Sequence, residues 1–190
     1  MPSDALAQRW QLPSQAGPDP LEGVPLPLAL RAVLARRGTL SADQALEWLD
    51  PPELPKAEDH FPDLKAAVER LTQACCNGES LAICGDYDAD GMTSTALLIR
   101  ALNALGAKPV AAIPSRMDDG YGLNPRMVEE LHRDGIKLLV TVDNGVAATE
   151  ALDKATTLGV EVIITDHHTI PDPPPRALAV VHPALTPKDS

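Results

Sequence analysis

Aromatic side chains are scarce in this chain: Phe, Trp and Tyr make up 3% of its 190 residues. With hydrophobic residues at 44% a core is still possible, but it must be built from Leu, Val, Ile and Ala. Cysteine is nearly absent as well, with only Cys75, Cys76 and Cys84. An odd count with two adjacent members is no disulfide framework and suits a reducing compartment, so a cytoplasmic location is expected. All three read as small buried hydrophobes rather than as a redox pair or metal ligands. No apolar run approaches the ~18 residues needed to cross a bilayer, so no membrane association is expected. The first residues, MPSDALAQRWQLPSQ, lack a basic stretch followed by an apolar core, so no secretory signal is read there.

Positive charge is also in short supply. Sixteen Lys and Arg face 27 Asp and Glu, a net charge of −11. Proteins that grip nucleic acid through its phosphates usually present a basic face, and none shows in bulk. Either the carboxylates include a cluster that metal ions neutralise, or a basic surface lies outside these residues. Several familiar sites are missing too. There is no G-x-x-x-x-G-K-[ST] phosphate loop, no G-x-S-x-G elbow, no H-E-x-x-H pair and no paired C-x-x-C.

What is present changes along the chain. Residues 1–25 are polar and Pro-rich. Leu30, Val33 and Leu34 fit a short helix ending near Gly38. Ser41 and Gln44 form a capping-box signature for a second helix through Ala45, Leu46 and Leu49. Pro51, Pro52 and Pro55 then break the chain. Leu64, Val68, Leu71 and Cys75 recur at helical spacing, with Asp63 a candidate cap. From Ser80 short apolar runs alternate with helical periods. Strands are expected at 81–84, 110–113, 138–142, 160–164 and 178–181. Their runs are continuously apolar, as in strands covered on both faces. The expected fold is therefore α/β, a parallel five-stranded sheet with helices on both faces, preceded by a short helical N-terminal lead-in. The boundary is placed at 1–60 for the N-terminal extension and 61–190 for the α/β domain.

Chemistry gathers at the strand ends. The first strand runs into Gly85-Asp86-Tyr87-Asp88-Ala89-Asp90-Gly91, the third into Asp143-Asn144-Gly145, the fourth into Asp166-His167-His168. In a parallel sheet these carboxyl ends lie along one edge, where ligands bind. Carboxylates crowded together repel unless cations offset them. An Asp-rich set with one or two His points to Mn²⁺ first and Mg²⁺ second, and such a cluster can hold two ions ~3.5–4 Å apart for phosphoester hydrolysis. Asp86–Gly91 also matches the start of an EF-hand loop, but the Glu required at the twelfth position is Leu97 here. Taken alone, Asp143-Asn144-Gly145 is an ordinary turn and His167-His168 a surface pair. Their equivalent positions in one pattern argue for a shared site.

At these residues the chain resembles the DHH phosphoesterase superfamily, named for the Asp-His-His triplet found at 166–168. More narrowly it resembles the N-terminal part of the RecJ exonucleases within that superfamily, through GDYDADGMTSTALL (85–98), IPSRMDDGYGLN (113–124), TVDNG (141–145), TDHH (165–168) and the lead-in EWLDP (47–51). The resemblance implies that Asp88, Asp90, Asp143 and His167 hold metal and that His168 faces the scissile phosphate. Asp86 is a further ligand or an outer partner, and Asp166 orients the histidines through hydrogen bonds. Cys84 stands where many superfamily members carry a histidine, and it is expected to be core. Arg116 is a candidate for gripping a nucleotide phosphate, because arginine forks onto phosphate oxygens. Tyr121 is open between stacking on a base and packing. Val181-His182-Pro183 departs from the Val-Asn-Pro of RecJ-like proteins, with no function assigned to His182.

The activity this resemblance implies is metal-dependent 5′→3′ exonuclease action on single-stranded DNA in repair and recombination. Single-strand-binding protein and helicases are the partners it implies. A further metal-binding Asp, a second domain and an oligonucleotide-binding barrel would lie beyond Ser190, so these residues alone are expected to be weak or inactive. Two alternatives stand beside this reading. One is a phosphoesterase for short oligonucleotides or cyclic dinucleotides; the other is a non-catalytic nucleic-acid-binding or scaffold module.

Overall fold

The computed structural model describes residues 18–39, 41–51, 56–115, 117 and 120–186. The chain divides into two compact units, residues 1–54 and 55–190. The first holds helices α1 (Leu28–Arg36) and α2 (Ala42–Leu49). Ser41 caps α2 as its sequence suggests: Oγ accepts from the Gln44 backbone N–H at 3.2 Å. Leu21, Leu34 and Ala45 form its small apolar core.

The second unit runs α3 (Ala57–His60), α4 (Leu64–Asn77), β1 (Ser80–Cys84), α5 (Ala89–Ala104), β2 (Lys108–Ala112), α6 (Pro125–Arg133), β3 (Leu138–Val142), α7 (Thr149–Leu158), β4 (Glu161–Thr165) and β5 (Ala179–Val181). A 3₁₀ turn, Pro183–Leu185, follows. The strands form one parallel sheet in the order β2-β1-β3-β4-β5.

Both faces of the central strands are covered, and this explains their uninterrupted apolar runs. Leu81, Ile83, Leu138, Val140 and Ile163 pack with Ala67 and Ala74 of α4 and Leu102 of α5. The alternate residues Ala82, Cys84, Leu139, Val162 and Ile164 pack with Met127 and Val128 of α6 and Leu152 and Ala155 of α7. Truncating one of these fully buried Leu or Ile residues to Ala would cost about 2–5 kcal/mol. β2 is different. It is an edge strand, Val110 is exposed, and the strand starts at Lys108 rather than at Val110.

Two local expectations need correction. Asp63 makes no side-chain cap on α4. Its Oδ2 instead accepts from the Val180 N–H at 2.9 Å and ties the start of α4 to β5. Of the cysteines, Cys84 is buried and Cys75 half-buried, but Cys76 is exposed. Cys76 lies on the outward side of α4, away from the Ala67–Ala74 stripe that meets the sheet.

The topology places the site. From β1 the chain passes to β2 on one side and then returns to β3 on the other. The carboxyl ends of β1 and β3 therefore flank the point where strand order reverses, and crevices open there in doubly wound sheets.

Candidate metal centre

The loop after β1 buries one acid and presents another. Asp86 is 1% exposed, and its Oδ1 accepts from the Tyr87 N–H at 2.7 Å. Asp88 is the N-cap of α5. Its Oδ1 accepts from the N–H groups of Asp90 and Gly91, each at 3.0 Å. The Gly91 N–H, followed by that of Asp90, holds the Asp88 carboxyl below the usual carboxylate range. Gly91 is required by space, since a Cβ there would lie 2.5 Å from the Asp86 backbone nitrogen.

After β3 the backbone turns sharply. Asp143 has φ 63°, the one positive φ among described non-glycine residues. Such a conformation costs on the order of 1–3 kcal/mol and persists where its surroundings enforce it. Here the Asp143 N–H donates to Thr165 O at 3.0 Å. Asn144, 1% exposed, donates from Nδ2 to Cys84 O (3.0 Å) and Val142 O (2.9 Å), and its Oδ1 accepts from Leu123 N–H (3.1 Å). One amide thus ties the ends of β1 and β3 to the segment before α6. Gly145 follows at φ 117°, where a Cβ would meet Thr141 Oγ1 at 2.5 Å.

After β4, Asp166 organises the histidines. Its Oδ1 accepts from the backbone N–H groups of His167 (2.7 Å) and His168 (3.0 Å) and lies 2.8 Å from His168 Nδ1. Its Oδ2 accepts from Val146 N–H at 3.0 Å. Burial pushes the Asp166 carboxyl up, but the N–H groups of His168, Val146 and His167 outweigh it and hold it below the usual range. The bond to Asp166 raises the His168 imidazole above its ordinary value. It also assigns the Nδ1 hydrogen to Asp166 and leaves Nε2 beside the Tyr121 hydroxyl, 3.3 Å away.

These loops converge. His167 Nε2 lies 2.8 Å from Asp143 Oδ1, and His168 Nδ1 lies 4.0 Å from the same oxygen. One ligand atom each from Asp143, His167 and His168 falls within 4.8 Å of the others. Donors on one divalent ion sit up to about 4.4 Å apart at bond lengths of ~2.2 Å, so small rotamer changes would close Asp143 and His167 on a cation, with His168 beside them. Asp88 and Asp143 lie close enough for each carboxyl to bear on the acidity of the other. Burial, reinforced by the Asp88 charge, pushes Asp143 up even though its bond to His167 pulls it down. Neighbouring carboxyls driven apart in this way are the condition that a divalent ion relieves. The set, mostly carboxylate oxygen with imidazole added, fits Mn²⁺. Asp90 lines the same cleft, with Thr93, Ser94, Asp143 and His167.

Tyr121 closes one side. Its hydroxyl donates to Asp143 O at 2.7 Å and lies 3.3 Å from His168 Nε2. Its ring meets those of His168 and Tyr87 edge-on. Burial, then the surrounding carboxylates, pushes its phenol up to about 12. Beyond it, a second cleft lies between the N-terminal ends of α6 and α7, lined by Tyr121, Leu123, Asn124, Val146 and Thr169. Cys84 is core, its thiol pushed up to about 12 by burial. Arg116 lies outside the described residues.

Three contributors escaped the sequence. Asn144 reads as a turn residue, the hydroxyl bridge of Tyr121 has no local signature, and His182 appears only as an unexplained substitution. A polar residue directly after an apolar strand run, as His182 is, was the one available signal.

The model of the DHH family, N-terminal domain, matches residues 80–190. The single-stranded-DNA-specific exonuclease RecJ of Escherichia coli (strain K12) is 42% identical over 161 residues, 84% of this chain and 27% of its own length. The RecJ of Thermus thermophilus is 46% identical over 141 residues, 74% of this chain and 20% of its own length. The chain therefore spans about a quarter or less of the length of these relatives. A crystal structure of exonuclease RecJ bound to manganese matches with a TM-score of 0.63 at 44% identity, covering 71% of this chain and 33% of that one. RecJ from Thermus thermophilus in complex with Mn²⁺ matches with a TM-score of 0.61 at 36% identity, covering 90% of this chain and 23% of that one. With the family model spanning more than half its length and the Asp-His-His triplet at the end of β4, this chain belongs to the DHH family.

Proposed function

We propose that this chain is the metal-holding part of a phosphodiesterase that degrades single-stranded DNA from the 5′ end, in repair and recombination. One observation carries the reading: Asp143, His167 and His168 offer ligand atoms within 4.8 Å beside Asp88, in a chain 42% identical to an exonuclease named for that substrate. Two similar solved structures are described with manganese. Mn²⁺ or Mg²⁺ is the proposed cofactor, two ions in a complete site. Bound divalent ions would neutralise the carboxylates, polarise phosphoryl oxygens and supply a nucleophile from water at neutral pH.

The chain's own residues do the rest. Asp88, Asp90, Asp143 and His167 are the proposed ligands, with Asp86 buried beneath them as a ligand or outer partner. Asp166 fixes the His168 ring, so that Nε2 faces the cleft where a phosphate would sit. Protonated there, His168 donates to a phosphoryl oxygen. Arg116 is the proposed fork onto a terminal phosphate. The proposed setting is the cytoplasm, with single-strand-binding protein and helicases as partners. These residues alone, about a quarter of the length of the relatives, are expected to be weak or inactive.

The test compares a long single strand, a duplex and a dinucleotide as substrates for the complete protein with Mn²⁺. Mononucleotide release confined to the single strand, and lost in Asp143→Asn, is the expected result. Faster hydrolysis of the dinucleotide than of the strand would replace this reading with a short-oligonucleotide phosphoesterase.

A further inference from the structure

His182 sits at the end of β5, 2% exposed, with no place among the ligands proposed above. Its imidazole makes two bonds to backbone. Nδ1 accepts from the Ala184 N–H at 3.0 Å and so caps the 3₁₀ turn. With Nδ1 an acceptor, the ring hydrogen resides on Nε2, which donates to the carbonyl oxygen of His168 at 2.8 Å. The Asp166 N–H donates to Val181 O at 3.3 Å, so β5 lies directly beside the Asp-His-His segment.

At His168 every polar group then has a neighbour. Its N–H and Nδ1 meet Asp166 Oδ1, its Nε2 meets the Tyr121 hydroxyl, and its carbonyl receives the bond from His182. Three of these contacts come from residues lining the clefts. The fourth comes from a buried side chain behind them, on a different strand.

We propose that His182 is a positioning residue: its buried imidazole fixes the His168 carbonyl and thereby sets where the His168 ring stands beside Asp143 and Asp166. This role rests on the metal-site reading above for its functional meaning, but not for its geometry. The His168 ring stands 4.0 Å from Asp143 Oδ1 and shares Asp166 Oδ1 with the His167 N–H, so displacing it disturbs two proposed ligands; groups that orient ligands in this way typically change metal affinity about 10–100-fold when removed.

The variants separate positioning from simple loosening of β5. His182→Ala removes both bonds. His182→Gln restores a donor long enough to reach His168 O. Asp63→Ala is the control: it breaks the Asp63 Oδ2 bond to Val180 N–H on the same strand without touching His168. Two readouts are taken on the 190-residue chain: the His168 imidazole and Thr169 amide NMR signals without metal, and Mn²⁺ affinity by calorimetry. In His182→Ala the His168 and Thr169 signals move and Mn²⁺ affinity falls about 10-fold or more. His182→Gln returns affinity to within about 3-fold of wild type, and Asp63→Ala lowers Tm with both readouts unchanged. If His182→Ala fails to fold, His182→Asn takes its place, since Oδ1 keeps the Ala184 bond while the side chain ends short of His168 O. His168 signals at their wild-type positions in the His182 variant would overturn the proposal. So would an equal loss of Mn²⁺ affinity in Asp63→Ala. A wild-type chain that takes up no Mn²⁺ would defeat the metal reading, while the metal-free signals would still decide the role of His182.

Discussion

The two rims of the sheet solve the same electrostatic problem in opposite ways. At the N-terminal rim, Arg70 of α4 forks onto Glu79 through Nη1 (2.9 Å) and Nη2 (2.7 Å) and reaches Glu161 through Nε at 2.6 Å. Its bond to Glu79, opposed by burial and aided by Glu161, holds the guanidinium more firmly protonated than usual. The cation is part of the chain, and the cluster is closed. At the C-terminal rim, Asp88, Asp143 and Asp166 gather, and among the described residues two imidazoles face them. There the carboxyls are driven apart in acidity, with Asp88 lowered and Asp143 raised. A rim that carries its own cation gives stability. The proposed metal site supposes that the second rim takes its cation from solution.

Substitutions can break this contrast, beginning with the largest effect. Asp143→Asn should weaken Mn²⁺ binding by more than the ~10–100-fold typical of outer partners, measured by calorimetry, with little change in fold. Asp166→Asn comes next, costing on the order of 2–3 kcal/mol, because a carboxylate accepting several N–H bonds becomes an amide that must turn a donor toward some of them. Its pH dependence is a sharper check. The lowered Asp166 carboxyl contributes stability that is complete above ~3.8 and is lost as pH falls through its folded value. The raised His168 imidazole contributes stability that is complete below ~6.5 and is lost as pH rises through its folded value. Without metal, the gap in chemical-denaturation stability between wild type and Asp166→Asn should peak between about pH 4 and 6.5 and narrow on either side.

Arg70→Met should cost about 2 kcal/mol, less than the ~3–5 for breaking a fully buried pair because Glu161 is half exposed, and should leave Mn²⁺ affinity untouched. A loss of metal affinity in that variant would erase the contrast between the rims. Tyr121→Phe is the mildest, about 1 kcal/mol for one hydrogen bond to Asp143 O, read from the shift in denaturation midpoint.

Much of this arrangement is legible in the sequence because the central strands are covered twice. Leu138–Val142 stands out as a run apolar but for Thr141 that leads into Asp143, and the observed strand has those bounds. At the sheet edge burial is incomplete, so Lys108 and Pro109 carry no apolar signal and the start of β2 is misplaced. The acids and histidines of the site are visible as types at strand ends. Their second tier is less so. Asn144, His182 and Asp63 act by bonding backbone groups 60, 14 and 117 positions away, and no local pattern encodes such a partner. The Asp63 side chain illustrates this: its position before a helix suggests a cap, yet tertiary contact claims it for Val180.

The most direct test of the open rim is diffraction from crystals grown with Mn²⁺, using the anomalous signal of manganese to locate bound ions. The account predicts a peak within coordination distance of Asp143 and His167, adjoining Asp88, and none at Arg70. Saturating Mn²⁺ with no peak at Asp143, or a peak only elsewhere on the chain, would contradict it.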